Sequence, residues 1–125
     1  MASARPHATD AELAILKLLW EHESLTAREI REQLYPAGSP SDHATVQKLL
    51  QRLEQKKLVG RDRRSFAHRF RAEVTREALA ANQLEALAEK LTDGSLVPFI
   101  LHAVSAKKLS AEERSEIRRL LERRR

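Results

Sequence analysis

Cysteine is absent from this chain of 125 residues. That removes disulfides, thiolate metal sites and cysteine-based redox sensing together. Aromatic residues make up only 4% of the sequence, and its three glycines form no phosphate-cradling loop. No apolar run approaches the roughly 18 residues of a membrane span. The opening Met1-Ala2-Ser3-Ala4-Arg5-Pro6 lacks the apolar stretch of a signal peptide, so a cytoplasmic location is expected. The histidines His7, His22, His43, His68 and His102 are dispersed, with no i,i+3 or i,i+4 pair. A zinc or catalytic site would have to be assembled from distant segments, and no metal or cofactor is expected. With no nucleophile motif and no paired-carboxylate pocket, the chain does not read as an enzyme.

What is present is concentrated between Ser41 and Phe70. Ser41–Lys56 reads as one helix, with Val46, Leu49, Leu50 and Leu53 at i, i+3, i+4 and i+7 forming a single apolar stripe. At about 100° per residue the opposite face carries Ala44, Lys48, Gln51 and Gln55, flanked by Thr45, Gln47 and Arg52. That face offers hydrogen-bonding groups, one small residue and no carboxylate, which suits a helix entering a DNA major groove. Lys57–Phe70 follows as a two-stranded hairpin tipped with arginine. Its Phe66, His68 and Phe70 alternate with Ala67, Arg69 and Arg71, so the aromatic side is expected to face the core. His68 on that side reads as a packed structural histidine. A helix followed by a basic hairpin is the core of a winged helix-turn-helix.

The charge is unevenly placed. The whole chain has a formal net charge of +5, whereas residues 41–72 hold nine cations against Asp42, Glu54 and Asp62, an excess of +6. Such a segment is the expected electrostatic footprint for phosphate contact, although most charge runs are merely solvated faces.

The remaining sequence supplies the supports. Residues 1–8 read as a disordered leader, residues 9–73 as a winged-helix DNA-binding domain, and residues 74–125 as a helical dimerisation domain. Thr9-Asp10-Ala11-Glu12 is a capping box that opens a first helix running to about Glu21, with Leu13, Leu16, Leu19 and Trp20 inward. Trp20 is taken as core and not as a stacking platform. Thr26-Ala27-Arg28-Glu29 is a second capping box, opening a short helix with Ile30 and Leu34 inward. Tyr35–Pro40 makes a turn, and Asp42 or Ser41 is expected to cap the third helix. A fourth helix starts at Thr75-Arg76-Glu77 and breaks at Asp93-Gly94. Ser95 caps an apolar fifth segment, and Ser110-Ala111-Glu112-Glu113 is a third capping box before the last helix. Arg123-Arg124-Arg125 reads as a solvated tail. Leu84, Leu87, Leu91, Phe99, Ile100, Leu101, Leu120 and Leu121 are more apolar surface than about fifty helical residues can bury alone, so they are expected to meet a second copy.

The order and spacing of these pieces resemble the penicillinase-repressor family, which includes the methicillin-resistance regulators. The resemblance rests on Glu12–Trp20, Leu25–Ile30, Ala44-Thr45-Val46, Leu49–Lys56, Arg69-Phe70-Arg71, Gly94-Ser95-Leu96 and Leu109–Glu113. It implies a dimeric transcriptional repressor that binds an inverted repeat in its target promoter, and it brings in a membrane sensor-protease pathway as a partner. Three departures stand out. Lys57 occupies a position the family usually gives to glycine, and Ser65 occupies the usual glycine of the wing. In the antibiotic-responsive members induction leads to a cut at Asn-Phe, where this chain reads Leu96-Val97-Pro98-Phe99. The C-terminal cysteines of copper-responsive relatives are absent.

The expected function is therefore a sequence-specific DNA-binding repressor. His43, Ala44, Thr45, Gln47, Lys48 and Gln51 are the expected base readers, and Thr26, Arg28, Arg52, Arg63, Arg64 and Arg69 the expected phosphate contacts. Direct membrane binding is not expected. The competing reading is a protein-interaction adaptor on a winged-helix scaffold. Salt separates the two, because DNA binding weakens steeply with ionic strength and an apolar interface does not. An RNA-binding winged helix would need exposed aromatics, and Phe66 and Phe70 are expected inward.

Overall fold

A computed structural model describes residues 7–123. The elements run α1 (Asp10–Glu21), β1 (Leu25–Thr26), α2 (Ala27–Leu34), α3 (Pro40–Gln55), β2 (Val59–Asp62), β3 (Arg69–Ala72), α4 (Arg76–Leu91), α5 (Val97–Ser105) and α6 (Ala111–Arg123). The chain forms two compact units, one ending at Gln83 and one beginning at Leu84. The expected leader over residues 1–8 lies outside the described residues up to position 6. His7 and Ala8 are tied down: the His7 carbonyl accepts from Lys56 Nζ (3.0 Å) and the Ala8 N–H donates to Gln83 Oε1 (3.0 Å). Of the expected C-terminal tail, Arg124 and Arg125 also lie outside the described residues.

In the first unit, Ile15, Leu16 and Leu19 of α1, Ile30 of α2, and Val46, Leu49, Leu50 and Leu53 of α3 close one core with Leu25, Leu58, Val59, Phe70 and Leu79. The apolar stripes meet there because each helix starts in a defined place. Thr9 and Thr26 cap α1 and α2, with Glu12 and Glu29 reaching back to the cap N–H in each case. For α3 the cap is Ser39, not Ser41 or Asp42; Asp42 is the return partner of the same box. Pro40 allows this earlier start, since a proline at the first helical position has its φ already set and no N–H to satisfy. Trp20 is half-buried, as befits a core residue with a polar handle. Its Nε1–H donates to the Val74 carbonyl (2.8 Å) and the Arg76 guanidinium stacks 4.9 Å from its ring centroid, which ties the approach to α4 onto α1.

The end of α3 carries a constraint absent from its stripe. Lys56 Nζ sits 2.6 Å from Glu12 Oε1, and Glu12 is 1% exposed. Burial alone would raise the Glu12 carboxyl, but hydrogen bonds from Lys56 and the Thr9 N–H, with the Lys56 charge, hold it below its ordinary value. One carboxylate thus closes the α1 cap and anchors the end of α3.

Lys57 follows with φ 64, in the left-handed region. The N–H groups of Lys57 and Leu58 return to the carbonyls of Glu54 and Leu53 (both 3.0 Å), the paired bonds of a Schellman ending. This is where glycine is favoured, because a side chain there costs conformational energy. Lys57→Gly is expected to stabilise the protein by about 0.5–1 kcal/mol, read as a higher urea midpoint at unchanged m-value. A lower midpoint would mean that the Lys57 side chain contributes more than its strain costs.

The sheet order is β1-β3-β2, all antiparallel, with Leu25 opposite Phe70 and Arg61 opposite Phe70 on the other side. The expected hairpin forms, but its strands stop at Asp62 and resume only at Arg69. Residues 63–68 are a loop, so the period-two alternation does not extend back to Phe66. Phe70 is buried as expected; Phe66 is fully exposed, which corrects its assignment to the core side.

In the second unit α5 and α6 bury no residue. Ser110 and Glu113 form the expected box (2.9 and 3.0 Å). Ser95 acts one residue early: its Oγ accepts the Val97 N–H (3.2 Å), while Leu96 holds the cap position. Leu84, Leu87, Leu91, Ile100, Leu101, Leu120 and Leu121 are exposed, and Phe99 is half-buried.

Candidate nucleic-acid interface

The outer face of α3 is built by subtraction. Once Val46, Leu49, Leu50 and Leu53 are committed to the core, helical geometry leaves His43, Ala44, Thr45, Gln47, Lys48 and Gln51 facing out, and all six are exposed. Ala44, Gln47, Lys48 and Gln51 line one shallow groove, with Arg61 at its side. His43 and Gln47 lie one turn apart with Nε2 to Nε2 at 3.1 Å, so their polar groups are aligned before any ligand arrives. Among the described residues, Lys48 and Arg52 have no carboxylate partner.

Not every cation of the basic segment is free for a partner. Arg61 turns inward: its Nη2 and Nε reach Glu54 Oε1 and Oε2 (2.6 and 2.9 Å), and its guanidinium lies 4.7 Å over the Phe70 ring. A fork of this kind is directional as well as charged, so it fixes the wing to the side of α3. His68 Nδ1 stands 3.3 Å from Arg61 Nη1, in keeping with a structural histidine. Arg69 is bound to Ser24 through Nε to Oγ (2.8 Å) and Nη2 to the carbonyl (3.0 Å). Arg71 pairs with Glu73 (2.8 Å) and Lys56 with Glu12. Glu12, Glu73 and Glu29 (3.8 Å from Arg69 Nη2) lie outside residues 41–72, which is why a charge sum over that segment overstates the cations on offer.

At the wing tip Arg64 is clipped to Asp62 through Nε and Nη2 (3.0 and 2.8 Å) and through its own N–H (2.9 Å). The Arg64 bonds hold the Asp62 carboxyl far below its usual range. The guanidinium itself remains in solvent, and Arg63 beside it has no partner among the described residues. At the start of α2, Thr26 is half-buried in its capping box, and Arg28 is exposed with a single loose contact to Glu32 (3.3 Å). Thr26, Arg28, His43, Gln47, Phe66 and His68 line a common groove, which brings the start of α2, the first half of α3 and the wing loop to one surface. The sequence reading missed two participants, Arg61 as the wing's anchor and Phe66 as a surface residue. Neither carries a local signal, because both depend on where the strands end.

Among the described residues, no group of three or more His, Cys, Asp or Glu side chains could hold a metal ion, and no helix is long and apolar enough to cross a membrane. The family model described as "Penicillinase repressor" matches residues 8–123. The chain is similar to the penicillinase repressor of Bacillus licheniformis, with 24% identity over 117 residues covering 94% of this chain and 91% of that one. It is similar to the transcriptional regulator BlaI of Mycobacterium tuberculosis, with 34% identity over 114 residues covering 90% of this chain and 80% of the relative. In structure it resembles the solution structure of the DNA-binding domain of the repressor BlaI at a TM-score of 0.50 and 23% identity, over 62% of this chain and 93% of that one. That likeness bears out the winged-helix fold.

Proposed function

The chain belongs to the penicillinase repressor family of transcriptional regulators, and on that footing we propose that it is a DNA-binding repressor acting as a homodimer on an inverted-repeat operator. The observation that carries this reading is the outer face of α3, which is exposed, polar and free of carboxylates, while its opposite face is locked in the core. His43, Ala44, Thr45, Gln47, Lys48 and Gln51 read base edges from this face. Arg52, Arg63, Arg64, Arg28 and the N–H groups at the Thr26 helix start hold the backbone on either side. Arg69 serves mainly by holding β3 to Ser24. Dimerisation through the arm brings two such faces to the two halves of a symmetric site. Selection of bound sites from random duplex DNA tests this directly. Recovery of an inverted repeat supports it, and a failure to enrich any duplex sequence would reject it.

Two substitutions separate reading from clamping. Lys48→Ala is expected to weaken operator binding by about 1–3 kcal/mol and binding to random DNA much less, measured by competition titration. An equal loss on both would reduce Lys48 to a phosphate contact. Arg63→Ala should weaken binding to all sequences alike and lower the salt slope by about one. An unchanged slope would place the wing tip away from DNA.

The sensor-protease pathway implied by the resemblance would release the repressor by a cut in the arm. The matching stretch Leu96–Phe99 contains Pro98 in the first turn of α5, with Phe99 half-buried. A helical turn holding proline is poorly suited to the extended backbone that a protease requires, so a signal other than this cut is the reading favoured for induction.

A further inference from the structure

Among the described residues, every large apolar side chain left exposed belongs to the arm between Leu84 and Leu121, except one: Phe66, fully exposed in the wing loop. An isolated exposed leucine needs no explanation, but a phenylalanine with no neighbour to cover any part of it presents far more apolar surface to water. Its loop is not slack. The Ser65 hydroxyl donates to the Ala67 carbonyl (2.9 Å), and the Asp62–Arg64 clip holds the other side. The ring is therefore presented from a loop braced on both sides of it. Phe66 is one of the residues lining a groove with Thr26 and Arg28 from the start of α2 and His43 and Gln47 from the reading face. Arg28, with its side chain 80% exposed, lines the same groove, so what enters it must tolerate an apolar surface while carrying negative charge.

A deoxyribose–phosphate strand has that character: anionic oxygens on its outside and apolar C–H faces on its sugars. With α3 in a major groove, the strand that separates this groove from the adjoining minor groove must pass between α3 and the wing. We propose that Phe66 is a DNA contact, packing against the deoxyribose faces of that strand at the outer edge of each half-site. The contact rests on the repressor reading above and adds to it an apolar term that is independent of sequence and of salt. Arg28 in the groove steers the strand, and the ring contributes by shedding water.

Hydroxyl-radical footprinting reads this contact, because cleavage follows the accessibility of deoxyribose hydrogens. The full chain on its selected operator should protect sugars at the outer edge of each half-site as well as those facing α3. F66A is expected to lose the edge protection only, with about a tenfold loss of affinity, an unchanged salt slope and an unchanged melting temperature. F66L should retain most of both protection and affinity. A footprint and affinity of F66A indistinguishable from wild type would overturn the proposal while leaving the repressor reading intact. So would a loss accompanied by a lower salt slope, since that would be the loss of phosphate contacts. A wild-type chain that protects no duplex would overturn both.

Discussion

A Leu101→Asp variant is expected to sediment as a monomer at micromolar concentration and to bind an inverted repeat no better than a single half-site. Leu101 is 61% exposed in the single chain, so an aspartate there costs the monomer little. Between two copies the same carboxylate would be desolvated twice, once from each chain, at several kcal/mol apiece unless paired. A net cost of only about 4 kcal/mol already shifts the dimer dissociation constant by three decades. Leu84, Leu87, Leu91, Ile100, Leu120 and Leu121 of the same unit are exposed as well, and large exposed apolar surface marks an interaction site. Loss of the dimer would leave each reading helix intact but remove the second half-site, so operator affinity should drop at least a hundredfold while half-site affinity stays. Sedimentation velocity alongside operator titration checks both. A variant that remains dimeric, or a monomeric variant that still binds the repeat tightly, would show that the arm serves another end.

The second large effect concerns stability. Lys56→Met keeps the aliphatic stem but leaves the Glu12 carboxylate, 1% exposed, without its counter-charge. Removing one partner of a buried pair typically costs about 3–5 kcal/mol, a large share of the stability of a domain this size. The pH dependence should also weaken. In the wild type the Glu12 carboxyl lies below its ordinary 4.5, so its contribution is present above that value and lost as pH falls through the lower folded one. Without Lys56 only the Thr9 hydrogen bonds oppose burial, so the carboxyl should rise from its wild-type value and the variant should lose less stability than the wild type as the pH falls below neutrality. Glu12→Gln alone should cost less, since Lys56 is 30% exposed and can rehydrate. The double variant Glu12→Gln/Lys56→Met should recover part of the loss, and denaturant melts from pH 4 to pH 8 would display all three. Additive losses in the double variant would show that the two side chains do not act as a pair.

Much of this protein was legible locally. Hydrophobic spacing and capping boxes located α1, α2, α3 and α6, because a helix start is decided by side chains three residues apart and its buried face by a repeat of 3.6. The face of α3 follows from the same arithmetic: once Val46, Leu49, Leu50 and Leu53 are buried, Lys48 and Gln51 must face outward. Lys57 shows the limit of such reading, since its departure from glycine was visible but its positive φ was not.

What no local pattern holds is the partner brought in from a distance. The two-residue strand β1 exists because β3 passes beside it, and its hydrogen bonds belong to residues more than forty positions apart. Arg61, Arg69 and Lys56 are among the nine cations of residues 41–72, but in the folded chain Glu54, Glu29 and Glu12 lie against them. The alternation that would put Phe66 inside is interrupted by the loop. The helices, the core stripes and the polar face of α3 follow from the residues alone, because each depends on periodicity and capping within one element. Which charges remain unpaired, and that Phe66 of the wing stands exposed, follow from the packed arrangement, because pairing and burial depend on distances between elements that periodicity does not contain.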